Sequence, residues 1–374
     1  MTIKPTLENY LIMKQILKKY LPYCFALSML TSCVNEDIHV TTYNLEHHDF
    51  QKWAELIMIE SITPLEQKDS CILSYADKCI VEGDYILFND HKSKTIYQFT
   101  KGGKLIRQIG NRGKSASEYL DIKDIWLESK NNNIIVMDDR GLITFDIASG
   151  KYIDRQKFNT EEAGRFIKFG VVDDNTYIGV RDSGDDDSSI MLDSPKGAKV
   201  LRQRKGYPFF VDFFYQHNDD NYVLSDYGEF YIDKYEDGFL NKVYEFNLGE
   251  YKLPKDELPK DSKEFDIVYE KPEYFKCLIE ARETSKWLYA KIDGPQRLYY
   301  TAIINKDNGK TAFGPDFTIS IVGTEGNSFF ALVYPNYLPQ TEFLYKILQE
   351  KGIACDENAS PVLLKFSINE KLLL

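Results

Sequence analysis

Histidine is scarce in this chain, at five in 374 residues. Three of the five, His39, His47 and His48, crowd near the amino terminus. His91 and His217 sit near predicted strand ends, where a solvated turn is the ordinary environment. Side chains that exchange protons near pH 7 are thus few. No Gly-x-Ser-x-Gly elbow, His-Glu-x-x-His pair or Walker loop occurs, which removes the common signatures of a serine hydrolase, a zinc peptidase or a nucleotidase. Cysteine is also sparse, with six residues and no Cys-x-x-Cys pair, so a zinc ribbon or thioredoxin-like site is excluded. Positive charge is in deficit: 46 Lys and Arg face 58 Asp and Glu, for a formal charge of -12 and a pI near 5.1. With no basic stripe, such a surface repels phosphate backbones, and nucleic acid is not an expected partner.

What the chain does have is aromatic residues, 14% of its length, supplied mainly by 26 Tyr and 23 Phe. Such side chains pack well on a half-buried pleated surface. A faint repeat runs through them. Asp84–Phe88, Asn133–Met137, Asn175–Val180, Asn221–Ser225, Lys286–Ala290 and Asn327–Val333 are variations on one strand, their starts 49, 42, 46, 65 and 41 residues apart. A period of this size, with several short strands in each unit, points to the blades of a β-propeller.

The second unit shows the plan most clearly. Tyr119–Leu127 alternates and is the expected inner strand; Asn133–Asp138, Leu142–Asp146 and Lys151–Lys157 follow, separated by Asn, Asp and Gly turns. The first unit repeats it with Cys79–Glu82, Tyr85–Phe88, Thr95–Phe99 and Leu105–Ile109. The third covers residues 166–203, the fourth 209–246 and the fifth 274–313. The fourth opens on a dense aromatic strand, Pro208–Tyr215. The sixth begins at Phe317, resumes at Val362–Ile368 and lacks a fourth strand. Ala54–Ile62 is a strand without a blade, and pairing it with the sixth unit closes the ring. The expected fold is therefore all-β: a six-bladed propeller of four-stranded antiparallel blades over residues 51–374, closed by an N-terminal strand. Residues 249–272 read as a long polar surface loop. Residues 336–360 read as an insertion bearing a short helix, with Phe343, Leu344, Ile347 and Leu348 at helical spacing.

Residues 1–32 have the order of an export signal. Lys14, Lys18 and Lys19 precede the apolar run Tyr20–Leu30, which is too short to span a bilayer comfortably. The run Leu30-Thr-Ser-Cys33 resembles a bacterial lipobox, which implies cleavage before Cys33 and lipidation of that residue. The mature chain would then carry 42 basic and 57 acidic residues. Glu36 and Asp37 resemble the signal that sends Bacteroidota lipoproteins to the outer face of the outer membrane; a periplasm-facing anchor is the alternative. Residues 33–50 are expected to tether the propeller to the membrane. Of the cysteines that remain, Cys71, Cys79, Cys277 and Cys355, the first two could lie on adjacent segments and pair, whereas Cys79 and Cys277 sit in strand-like runs where a thiol packs as a small hydrophobe.

Residues 95–127 carry a more specific pattern: Ile96–Phe99, Gly103–Gly110, Arg112-Gly113, Glu118-Tyr119, Ile122 and Asp124-Ile125. It resembles the six-bladed β-propeller lipoproteins of Bacteroidota, themselves similar to NHL and TolB propellers. In that family a Gly-Pro-Gly-Glu-Tyr run is usual; here Lys114–Ser117 stands in place of the Gly-Pro-Gly part, while Glu118 and Tyr119 match. The resemblance implies fold and location rather than chemistry, since most members have no assigned function.

Propeller ligands usually meet the central channel or the loops at one face. The candidates are accordingly near the starts of inner strands: Arg112, Glu118, Tyr119 and Asp121, then Arg165 and Lys168, Tyr207 and Asp212, and Tyr274 and Lys276. Asp90, Asp138, Asp182, Asp226 and Asp293 end equivalent strands, and a turn-capping role accounts for their recurrence. No cofactor is expected. A divalent cation is possible at Asp185–Asp187, although the spacing is not that of an EF-hand and a solvated turn is the simpler reading. The leading expectation is a non-enzymatic binding or scaffold lipoprotein, offering one propeller face to a peptide, glycan or envelope protein. Its rivals are a purely structural envelope protein and a propeller enzyme. The enzyme could be a lyase, or a lactonase-like metal hydrolase using Asp121, Asp212 and Asp316.

Overall fold

The computed structural model describes residues 40–128, 130–181, 188–204, 212–259, 262–317, 319–340 and 342–373. The export signal, Cys33, Tyr207, Asp182 and Asp185–Asp187 lie outside the described residues, as does part of the aromatic run before Asp212.

Six four-stranded antiparallel sheets form the expected propeller. In chain order from the innermost strand, blade 1 comprises Ala76–Glu82, Tyr85–Asp90, Thr95–Thr100 and Leu105–Ile109. Blade 2 comprises Asp124–Glu128, Asn133–Asp138, Gly141–Asp146 and Tyr152–Gln156. Blade 3 is Phe166–Asp173, Thr176–Arg181, Ser189–Ser194 and Gly197–Gln203. Blade 4 is Phe214–His217, Asp220–Leu224, Tyr231–Glu236 and Phe239–Asn247. Blade 5 is Cys277–Glu283, Trp287–Asp293, Tyr299–Asn305 and Thr311–Pro315. Blade 6 has three strands from the end of the chain, Ser320–Glu325, Ser328–Val333 and Val362–Ile368, and its outermost strand is Ile57–Pro64. Each innermost strand touches that of the next blade, and the sixth touches the first.

Burial follows from this arrangement. Second strands are covered on both faces by neighbouring blades, and Trp287–Asp293 and Ser328–Val333 are buried at every position. That is why these strands read as continuous apolar runs rather than alternating ones. Outer strands see water, and Tyr152–Gln156 and Gly197–Gln203 have no buried residue.

The structure departs from the sequence expectation in five places. The inner strand of blade 2 starts at Asp124, not at Tyr119; Glu118–Tyr119 instead forms a short parallel ladder with Asn111–Arg112. The described part of residues 40–50 is not a free tether. Thr41–Asn44 adds a parallel fifth strand to the outer edge of blade 4, with Tyr43 and Leu45 buried. Phe50 N–H then bonds Phe313 O at 3.1 Å, where only a glycine, Gly314, leaves room for the Phe50 backbone. Residues 249–272 carry a helix, Ser262–Tyr269, whose Phe265 and Val268 pack with Tyr227, Leu253 and Cys277. Cys71 and Cys79 do not pair; all four cysteines of the described residues are free, and Cys71, Cys79 and Cys277 are buried. Burial pushes the Cys71 thiol up to about 11 and that of Cys79 to about 12. Finally, the recurring Asp residues do more than cap turns, as described below. The expected helix of the second insertion is present at Phe343–Glu350, with Leu344 and Leu348 buried.

Candidate functional site at the propeller axis

The innermost strands begin at one face of the disc, here the entry face, and end at the other, the exit face. Strand-to-strand turns at the exit face are tight, and both insertions emerge at the entry face. Four of the inner strands shift register near their starts: blade 1 between Ala76 and Lys78, blade 3 between Phe166 and Lys168, blade 5 between Leu278 and Glu280, and blade 6 between Ile321 and Gly323. Bulges of this kind re-aim side chains. In blades 1, 3 and 5 the residue after the shift is a charged one, and these three charges belong to an axial belt.

Around the axis the belt runs Lys78, Asp124, Lys168, Asp212 and Arg282, one residue from each of blades 1 to 5 and alternating in sign. Lys78 Nζ lies 3.1 Å from Asp124 Oδ1, and Lys168 Nζ 3.9 Å from the same oxygen. Arg282 forms an ion pair with Asp212. Glu280 adds a third carboxylate, and its Oε1 accepts the Ile321 N–H at 3.0 Å. Asp124 Oδ2 likewise accepts the Phe169 N–H at 3.1 Å. Each of these carboxylates therefore ties its own blade to the next. Blade 6 contributes no charge, because Gly323 sits where a Cβ would lie 2.5 Å from Val81 O.

The belt is electrostatically self-satisfied. Burial opposes ionisation of Asp212, but Arg282, Lys78 and Lys168 outweigh it and hold the carboxyl at about 2. The neighbouring Asp124 raises Lys168 against the cost of its burial. For Glu280, burial wins over Lys291 and Arg282 and its carboxyl is raised.

Toward the exit face the belt floors a cavity of about 560 Å³. Lys78 and Arg282 lie at the floor, Trp126, Phe214 and Tyr215 on the walls, and His217, Asn218, Asp219, Ser285 and Thr324 around the mouth. Lys78 Nζ is 5.5 Å from the Trp126 ring centroid, a cation–π distance. Beside the mouth, Glu283 is buried and accepts hydrogen bonds from Tyr215 Oη at 3.2 Å, Tyr244 Oη at 2.8 Å and Lys306 Nζ at 2.6 Å. Burial, and then the Glu283 charge, raises both phenols. His217, expected in a solvated turn, is half-buried, which lowers its pKa, and its Nε2 lies 3.0 Å from Asn218 Nδ2 rather than against a carboxylate.

Of the ten candidate positions, Lys168 and Asp212 belong to this belt. Arg112 is exposed and donates to Leu120 O at 3.2 Å. Glu118 and Tyr119 are structural: the Glu118 carboxylate accepts the Ser115 N–H, and Tyr119 is fully buried with its hydroxyl 3.2 Å from Ile109 O. The loop they belong to is latched by Arg140 and Arg155, which donate to Glu118 O and also pair with Asp138. Asp121 and Arg165 are exposed on the entry face. Tyr274 packs at the small cluster around Phe265, and Lys276 is buried with its amine 3.5 Å from Gly294 O. Of the recurring aspartates, Asp90, Asp138, Asp226 and Asp293 are buried, and Asp138 accepts the Arg140 N–H of its turn at 2.8 Å. Asp90 caps the Ser93 N–H and holds Ser74, and Asp226 holds Arg204 at 2.8 Å. Asp121, Asp212 and Asp316 do not assemble a metal site: Asp316 is paired with Lys291 at 2.8 Å, Asp212 with Arg282, and Asp121 faces solvent. Among the described residues no three His, Cys, Asp or Glu side chains are grouped for a cation.

Sequence reasoning missed Lys78, Asp124, Trp126, Glu280, Arg282 and Glu283. For Lys78 and Glu280 the available signal was a charged residue in the first half of an inner strand, obscured by the register shifts.

The family model for Domain of unknown function DUF4934 matches residues 39–370. The chain belongs to the DUF4934 family. Two solved structures share the fold of this DUF4934 protein. One is a Bacteroides fragilis protein described as exported, with 15% identity and a TM-score of 0.65 over 88% of this chain and 100% of the other. The second, a DUF4221 member from Bacteroides vulgatus, has 12% identity and a TM-score of 0.59 over 84% and 98%. No curated protein matches the DUF4934 chain.

Proposed function

We propose that this protein is an exported, envelope-anchored binding module that holds a small polar ligand, or the end of a peptide or glycan chain, in the axial cavity. The observation that carries this reading is the pairing of the belt. General acid–base catalysis works through a group positioned to exchange a proton with the substrate, and the buried cations and carboxylates of the floor are committed to one another. Here the charged floor is neutralised internally, while the mouth offers the hydrogen-bonding groups of His217, Asn218, Ser285 and Thr324, one exposed carboxylate, Asp219, and an aromatic wall, the composition of a recognition pocket. The run ending at Cys33 supports attachment through a lipidated N-terminus, and likeness to an exported Bacteroides protein supports export.

Two measurements test the reading. Labelled palmitate should enter the full chain in a Bacteroidota host and be absent from Cys33→Ala. Calorimetric screening of peptide and glycan libraries should find a ligand that Trp126→Ala weakens at least about tenfold, the loss expected for one aromatic anchor. Turnover of a library member that is abolished by Trp126→Ala or Lys78→Met would overturn the binding reading in favour of an enzyme.

A further inference from the structure

A second cavity, of about 650 Å³, opens on the entry face between blades 1 and 6, far along the strands from the axial mouth. It falls in the size range of small-molecule sites. Its wall is a row of three tyrosines. Tyr75 and Tyr334 are stacked with ring centroids 5.3 Å apart and an interplanar angle of 22°, and Tyr337 stands edge-on to Tyr334 at 6.1 Å. The stack is rigid, because the Ala76 N–H donates to Tyr334 Oη at 2.7 Å. Yet Tyr75 is 56% exposed and Tyr337 66% exposed. Large aromatic rings left in water side by side at the lip of a cavity form an exposed patch, and such a patch marks an interaction site.

The chemistry of the surroundings indicates what that is. Asn336 and Asn358 present exposed amides beside the rings; of the ionisable groups in the lining, Lys92 and Glu357 are opposite in sign, and His91 has its Nδ1 2.6 Å from Asp77 Oδ1. The rim therefore selects for neither anion nor cation. The stack leaves open the outer side of the exposed Tyr75 ring, a flat surface rather than the slots between splayed rings that receive a polyproline helix. The face of an aromatic ring is electron-rich, and the polarised axial C–H groups of a pyranose present a matching flat surface whose equatorial hydroxyls reach neighbouring amides. We propose that the Tyr75–Tyr334–Tyr337 row is a binding platform for a neutral saccharide, separate from the axial cavity.

The probes are cellohexaose, laminarihexaose, mannohexaose and xylohexaose, titrated calorimetrically into the mature protein. At least one should saturate, Tyr75→Ala should weaken it about tenfold or more, and Tyr75→Trp should retain it. Tyr75 is exposed, so its replacement leaves the fold intact, as circular dichroism would verify. Three results would overturn the platform: none of the four sugars binding, an affinity unchanged in Tyr75→Ala, or binding that survives Tyr75→Ala and is lost in Trp126→Ala, which would move the sugar to the axis. Preferential binding of a proline-rich decapeptide to the same tyrosines would also reject the saccharide assignment.

Discussion

Asp212 shows how single residues hold the axis of this molecule together. Its carboxyl is partly buried, which alone would raise its pKa, but the three cations around it bring it down to about 2. An aspartate in an unfolded chain titrates near 3.9. Because the folded value is the lower one, the unfolded state binds the proton first as pH falls. The stabilisation is fully present above about pH 4 and is lost as pH drops through the interval down to about 2. A difference of that size corresponds to about 2 kcal/mol. Asp212→Asn should therefore lower unfolding stability by about this amount at pH 7 in urea titrations. The gap between variant and wild type should narrow below about pH 4 and close only below about pH 2. A gap that stayed constant with pH would show that packing, not ionisation, is what the carboxylate supplies.

At the level of elements, the two insertions differ in how they are attached. The helix Phe343–Glu350 buries Leu344 and Leu348 against the core of blades 5 and 6, alongside Phe317, Val333 and Val362. Removing a buried leucine side chain costs about 2–5 kcal/mol through lost transfer energy and the cavity left behind. Leu344→Ala should fall in that range by chemical denaturation, whereas Lys346→Ala on the exposed face should be silent. This helix was legible from its spacing of apolar residues. The helix Ser262–Tyr269 was not, because its charged sequence hides a narrow apolar face of Phe265 and Val268, which only the satellite cluster under blade 5 makes visible. The same logic separates the legible fold from the less legible site. Blade strands announce themselves through local turns and apolar runs. The axial belt depends on bulges that advance Lys78, Lys168 and Glu280 by one position relative to their partners, and on contacts between residues 41 to 70 apart in sequence, such as Glu280 with Ile321 and Asp212 with Arg282. No local pattern specifies those. The parallel strand Thr41–Asn44 was obscured for a similar reason: its partner, Tyr244–Asn247, is some 200 residues away, and a short polar segment has no intrinsic tendency to extend without it.

For the molecule as a whole, the decisive contact is the one that makes a circle of a line. Ile57–Pro64 pairs along nearly its full length with Val362–Ile368. It covers the outer edge of blade 6, where Leu364 and Phe366 would otherwise border an unpaired strand. Blades bury both faces against neighbours, so the ring has no independent sub-domain to fall back on. Opening it removes one strand's hydrogen bonds and exposes an apolar sheet edge, the arrangement most prone to pair with another chain. A chain beginning at residue 65 should consequently aggregate or unfold without a cooperative transition. One beginning at residue 46 loses only the parallel strand on blade 4, and should stay monomeric with a single, weaker transition. A circular permutant that joins residue 370 to residue 51 through a flexible linker, with new ends in the exposed Pro195–Lys196 turn of blade 3, keeps the pairing covalently local and should fold with about the stability of the chain that begins at residue 46. Size-exclusion chromatography and urea unfolding of the three proteins would check the ordering. Cooperative folding of the chain that starts at residue 65 would mean that five complete blades and a three-stranded sixth suffice, and that the closing strand serves the edge alone rather than the ring.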